Sequence, residues 1–178
     1  IIGDAKGVYE YLNLEHPPSA KYIIAMLMLS IGDRPLYWRI PSIAMGVIIV
    51  VTTFLIVYEL TKIPELGLIA AAVTAVDPMT KVMSSIALLD VYVSAFTVLT
   101  LYLAIKGKFK GAALLLGFAS TNKFSSLFAT IPLVFIYMNN MFKRGYRILR
   151  VIEEAVYYVI LLVLSFVFFQ ILVSTPII

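Results

Sequence analysis

The sequence predicts an all-α, polytopic transmembrane helical bundle with short interfacial or re-entrant helices on its non-cytoplasmic side. Three observations carry this. Of 178 residues 62% are hydrophobic and only 13% charged, where a soluble domain averages about 45–50% and about 25%. So little charge cannot coat a water-facing surface. The apolar residues fall into runs of very unequal length, some long enough to cross a bilayer and some not. The net charge of +4 is concentrated in short loops, which in a membrane chain speaks first to topology.

The elements follow in order within one transmembrane domain, residues 1–178. Residues 1–17 read as an external loop. The next run, 18–31, makes a helix of about 21 Å, short of the ~30 Å hydrocarbon core, and suits an interfacial position. Residues 40–60 are long enough to cross and end at Lys62-Ile63-Pro64-Glu65. Residues 66–76 form a short segment before Asp77-Pro78, where Asp can cap and Pro can open a new helix. Residues 78–105 follow, interrupted by Lys81, Ser84-Ser85 and Asp90. After the basic turn Lys106-Gly107-Lys108-Phe109-Lys110, residues 111–141 would make one helix of about 46 Å, too long for one bilayer. A break is therefore expected at Thr121-Asn122-Lys123. A second basic loop, residues 143–150, precedes the last membrane segment, 155–173. No internal repeat or low-complexity stretch appears. The chain opens inside a loop without a basic-then-apolar leader, which reads as an internal piece of a longer protein.

Letting the loops alternate sides puts Lys62, Lys106, Lys108, Lys110, Lys143, Arg144, Arg147 and Arg150 on one side. Clustered basic residues in short loops assign that side to the cytoplasm. His16, Arg39, Asp77, Asp90 and Lys123 then fall together on the external or lumenal side, and His16, Arg39, Asp90 and Lys123 are expected to face a common cavity there.

The inventory excludes several chemistries. One His and no Cys preclude a His/Cys metal cluster or a thiol nucleophile. No glycine pattern matches a phosphate-cradling nucleotide loop. The basic loops are too short for a nucleic-acid surface. No cofactor or metal is expected.

The remaining candidates each allow two readings. His16-Pro17-Pro18 is either the start of a helix, since Pro suits its first turn, or a rigid corner holding an imidazole at the membrane surface. Trp38-Arg39-Ile40-Pro41 is either an interfacial anchor or a site where a guanidinium grips a lipid-linked phosphate through paired hydrogen bonds. Asp90 and Lys123 lie within or beside apolar runs, where an ionisable group costs about 2.5–3.5 kcal/mol on insertion scales. They are either a functional pair or a cap and a structural ion pair. Lys21 and Lys81 read as interfacial lysines, and Tyr9, Tyr11, Tyr22 and Tyr37 as an aromatic belt.

Four pieces in order carry a resemblance: Leu14-Glu15-His16-Pro17-Pro18-Ser19-Ala20-Lys21, Trp38-Arg39-Ile40-Pro41-Ser42, Ile86-Ala87-Leu88-Leu89-Asp90 and Ala119-Ser120-Thr121-Asn122-Lys123-Phe124. Over roughly residues 10–130 the chain resembles the dolichyl-phosphate-mannose–protein mannosyltransferases, glycosyltransferase family 39, with the multi-span GT-C fold. The resemblance implies inverting transfer of a sugar, mannose in that family, from a polyprenyl-phosphate donor to a hydroxyl acceptor on protein or glycan. A carboxylate would deprotonate the acceptor, and positive charge would steady the departing lipid phosphate. It implies a substrate-binding set of His16, Pro17, Pro18, Arg39, Asp90 and Lys123, with Arg39 on the phosphate. Three departures stand out. Ser19-Ala20 replaces the usual Leu-Gly, and Ser85 takes the place of an Arg. The family's acidic Asp-Glu pair has no counterpart here and is expected upstream of Ile1, which would leave the chain inactive alone. A transporter or channel fragment with Asp90 and Lys123 lining a pathway, or a non-catalytic membrane scaffold, are the competing readings.

Overall fold

The structure, a computed structural model, describes residues 18–174. His16 and Pro17 lie outside the described residues. Within them eight helices follow one another and no strand occurs. They are α1 (Ser19–Ile31), α2 (Pro35–Thr61), α3 (Pro64–Val76), α4 (Pro78–Ser85), α5 (Leu89–Ile105), α6 (Phe109–Ser120), a short 3-10 turn (Phe124–Ala129), α7 (Thr130–Lys143) and α8 (Ile148–Ser174). Three stretches are long and apolar enough to cross a membrane: α2, residues 124–143 and α8. The pair α3–α4, bent by 60° at Asp77, makes a fourth if it is one broken span. Helices α1, α5 and α6 are shorter apolar helices. This is an all-α polytopic bundle, an integral multi-pass membrane protein.

Boundaries differ from the apolar runs where polar groups intervene. The run 78–105 does not continue as one helix. Asp77 opens α4 by accepting the Thr80 N–H (2.7 Å) and hydroxyl (2.9 Å). The Ser84 and Ser85 hydroxyls then donate back to Thr80 and Lys81 carbonyls, and such back-bonding competes with propagation of the helix. Ala87 turns the chain at φ 52°, a left-handed conformation that strains a residue with a Cβ. Helix α5 therefore restarts at Leu89, with Asp90 in its first turn.

The long second run begins earlier than its apolar stretch, because Pro35 sits where its missing N–H costs nothing. Helix α8 likewise begins at Ile148, inside the expected basic loop. Arg150 pairs with Glu153 (3.0 Å) and Glu154 (2.7 Å), and charge pairs three and four residues apart support a helix beyond its apolar part.

The interior is made of small and hydroxyl-bearing residues, with large apolar side chains facing out. One cluster joins Ala104, Ala112, Ala113 and Leu116 to Leu133, Tyr158 and Leu162. A second joins Ala20, Ile49, Val91, Tyr92 and Ala95. Leu68, Val73, Phe128, Ile131, Phe135 and Leu164 are all exposed. Lipid tails are as apolar as leucine, so helices in a bilayer associate through close backbone approach at small residues.

Gly117 shows how close that approach is. A Cβ there would run into the Ser165 hydroxyl and stand 2.7 Å from its carbonyl carbon, which is backbone of α8 and cannot swing away. Gly111 on the same helix has only Leu103 Cδ1 near, at 3.8 Å. Gly117→Ala is expected to push α6 from α8 and lower stability by about 1–3 kcal/mol, as overpacking does. Gly111→Ala should be neutral or slightly stabilising. Thermal unfolding of both variants in detergent checks this, and equal melting temperatures would contradict the packing described.

Candidate functional site

The candidate site is built on helix ends. A helix leaves its last carbonyls without partners, and α6 stops where Thr121 and Asn122 are fully buried. Its own C-terminal sequence answers the need. The Ser120 hydroxyl donates to Gly117 O (2.6 Å), and the Thr121 hydroxyl to Phe118 O (2.6 Å). The Asn122 amide donates to the Phe118 and Ala119 carbonyls at 3.3 Å each. Gln170 of α8 donates to Ser120 O (3.2 Å).

The Thr121 carbonyl then accepts the backbone N–H of Ser19 (3.2 Å), the first residue of α1. The Ser19 hydroxyl donates to Thr121 Oγ1 (2.6 Å). An orphan donor at the start of one helix is thus matched to an orphan acceptor at the end of another. Pro18 sits directly before this junction, at the α6 break.

From the break the chain leaves in extended form at Lys123. Its ammonium meets the Asp90 carboxylate at 2.7 Å, with the two side chains about a third exposed (31% and 38%). Asp90 in the first turn of α5 is also favoured by the positive end of that helix. Beside it, α2 and α5 are joined by a hydroxyl pair, Ser42 Oγ to the Tyr92 hydroxyl at 3.3 Å, both buried. One turn before Ser42, Arg39 stands exposed on α2. It makes no hydrogen bond or ion pair among the described residues. Its neighbour Trp38 donates its indole N–H to Asp33 (2.8 Å) in the α1–α2 turn.

Of the sequence-predicted residues, the structure thus brings Asp90 and Lys123 into contact. It places Pro18 at the same junction and Arg39 at the same end of the bundle. Asp90 and Lys123 close on each other and do not stand apart along a path. Sequence reasoning missed Ser19, Ser42, Tyr92 and Gln170, which tie the helices together. Ser19 had a signal, as one of the departures from the family pattern.

The other end of the bundle carries the opposite set of termini. Glu59 pairs with Lys62 (2.8 Å) and Lys106 (3.2 Å), joining the C-terminal ends of α2 and α5. Lys108 and Lys110 open α6, Lys143 and Arg144 end α7, and Arg147 and Arg150 flank the start of α8.

A family model described as dolichyl-phosphate-mannose-protein mannosyltransferase matches residues 15–172. No curated protein and no solved structure matches the chain.

If the ion pair is a strut, its two charges are coupled. Asp90→Ala and Lys123→Ala should each destabilise the protein by about 1–2 kcal/mol, toward the upper end for polar contacts between membrane helices. The double variant should lose less than the sum. The reversed pair, Asp90→Lys with Lys123→Asp, should recover part of the melting temperature. Simple additivity in detergent melts would mean that the two charges act independently.

Proposed function

Since the chain belongs to the dolichyl-phosphate-mannose-protein mannosyltransferase family, a membrane glycosyltransferase family, we propose that its Arg39 end binds the phosphate of a polyprenyl-phosphate sugar. The sugar, mannose by the family's description, is transferred to a hydroxyl acceptor, protein Ser or Thr in the first instance. The observation that carries this reading is an exposed guanidinium, Arg39, with no ion-pair partner among the described residues. Arg34, Arg39 and Lys81 make no ion pair among the described residues. The acids there are engaged: Asp33 by Trp38, Asp77 by Thr80 and Asp90 by Lys123. A phosphate arriving from the lipid would meet these cationic donors, and each described carboxylate nearby already accepts a hydrogen bond.

The chemistry follows from charge flow. A base takes the acceptor's proton, the acceptor oxygen attacks the anomeric carbon, and the bond from that carbon to the phosphate oxygen breaks. The electron pair leaves with the lipid phosphate, where a guanidinium can hold two oxygens at once. In this reading Arg39 binds the phosphate, and His16, Pro17 and Pro18 form the corner beside it. The Asp90–Lys123 pair holds the α5 start against the α6 break. The base is a carboxylate outside the described residues. The basic end, with Lys106, Lys143 and Arg147, faces the cytoplasm by the usual loop bias, which turns the Arg39 end to the external or lumenal side. A transporter or channel reading has no observation in its favour, because Asp90 and Lys123 neutralise each other.

The test is made in membranes holding equal amounts of the full-length protein and its variants, with polyprenyl-phosphate mannose and a Ser/Thr peptide. Arg39→Ala should lower transfer by roughly 10²–10³-fold, the loss typical of removing one such donor. Arg39→Lys should restore little, because an ammonium keeps the charge and loses the planar fork. Near-normal transfer by the Lys variant would make Arg39 an interfacial anchor, since both side chains snorkel.

A further inference from the structure

An open groove lies at the opposite end from Arg39, and the transferase reading makes no use of it. Its volume is about 540 Å³, between the turn that joins α5 to α6, the middle of α7 and the second to fourth turns of α8. Its floor is aromatic and rigid. Tyr137 and Tyr158 stack with centroids 4.7 Å apart, and Phe109 meets both edge-on at 4.9 and 5.9 Å. The Tyr158 hydroxyl donates to Phe109 O at 3.3 Å, which fixes the turn to α8. Gly107, at φ 74°, lets the chain reverse there with nothing within 4 Å of a Cβ position.

The rim is basic. Lys108 and Lys110 both line the cavity, and neither has a carboxylate partner among the described residues. The single acid in the wall, Glu154, is already matched, by Arg150 at 2.7 Å and by the Tyr137 hydroxyl at 3.4 Å. The lower wall leads from Leu161 and Tyr157 onto the exposed apolar face of α8, where Val156, Ile160 and Leu164 stand 47–60% exposed. Two unmatched ammonium groups, phenols at the level of the headgroups and an apolar face continuing downward are the three parts that one anionic lipid needs.

We propose that this cavity is a binding site for the phosphate headgroup of an anionic phospholipid, with an acyl chain laid along α8. It is independent of the transferase reading and lies at the other end of the bundle. A soluble phosphate could use the same two lysines, but would gain nothing from the apolar wall. The lipid is therefore the occupant proposed.

The full-length protein, purified in neutral detergent, is titrated with phosphatidylglycerol, phosphatidylcholine or sn-glycerol 3-phosphate, and bound lipid is read by native mass spectrometry. Phosphatidylglycerol should be retained and the other two should not. Lys108→Gln with Lys110→Gln should weaken its binding roughly thirty-fold, at about fivefold for each lysine near a charged surface. Lys143→Gln with Arg147→Gln removes the same charge at the same end outside the cavity, and should leave binding within about twofold. Equal loss in both double variants would reduce the effect to general surface charge and overturn the site. Equal retention of phosphatidylcholine, or binding of glycerol phosphate as tight as that of the lipid, would overturn the lipid assignment. So would no retention by the unaltered protein.

Discussion

Every backbone N–H and C=O within a bilayer must find a partner in the protein, because no water is there to supply one. In this chain α6 ends where its last residues are fully buried. The five carbonyls from Gly117 to Thr121 each accept a donor, drawn from Ser120, Thr121, Asn122, Gln170 and the backbone of Ser19. Three helices are fixed by this one requirement. Helix α1 starts where it meets Thr121, α8 is held by Gln170, and Lys123 leaves the break at the height of Asp90.

The same requirement separates the two ends of the bundle. At the end where α1, α2 and α5 begin, the described carboxylates are engaged by neighbours while Arg34, Arg39 and Lys81 have no partner among the described residues. At the other end Glu59, Glu153 and Glu154 take up Lys62, Lys106 and Arg150. An unmatched guanidinium at a helix start is poorly placed for stability and well placed for an anion. Membership of a membrane mannosyltransferase family gives that anion a chemical identity to test. Small residues let the ends stay in register, as at Gly46, where a Cβ would stand 2.7 Å from that of Ser84.

Much of the fold was legible because length and charge are read directly. A run of 31 residues between Gly111 and Met141 could not be one helix, and Thr121-Asn122-Lys123 held its only charge. Asp90 and Lys123 stood out because charge in apolar sequence needs a reason. The expected break at 121–123 follows from local chemistry, and α3 starts at Pro64, two residues before the expected 66–76 segment. The restart at Leu89 was less legible, since it depends on Ser84 and Ser85 turning back on their own helix. So was the start of α8 within basic sequence, which depends on Arg150 reaching two glutamates. The partner of Ser19, 102 residues away, leaves no periodicity in a single sequence. Pairings of this kind are what hold the candidate site together, so its members could be listed from the sequence while its geometry could not.

The junction between α1 and the α6 break can be tested by covalent trapping. With Ser19→Cys and Thr121→Cys as the only cysteines in the full-length protein, mild oxidation in native membranes should give an intramolecular disulfide in most molecules. The shift in electrophoretic mobility should reverse on reduction. A pair with one cysteine moved to the far end, Ser19→Cys with Lys106→Cys, should give none. Failure of the first pair to close, or equal closure of both, would contradict a bundle organised around that junction.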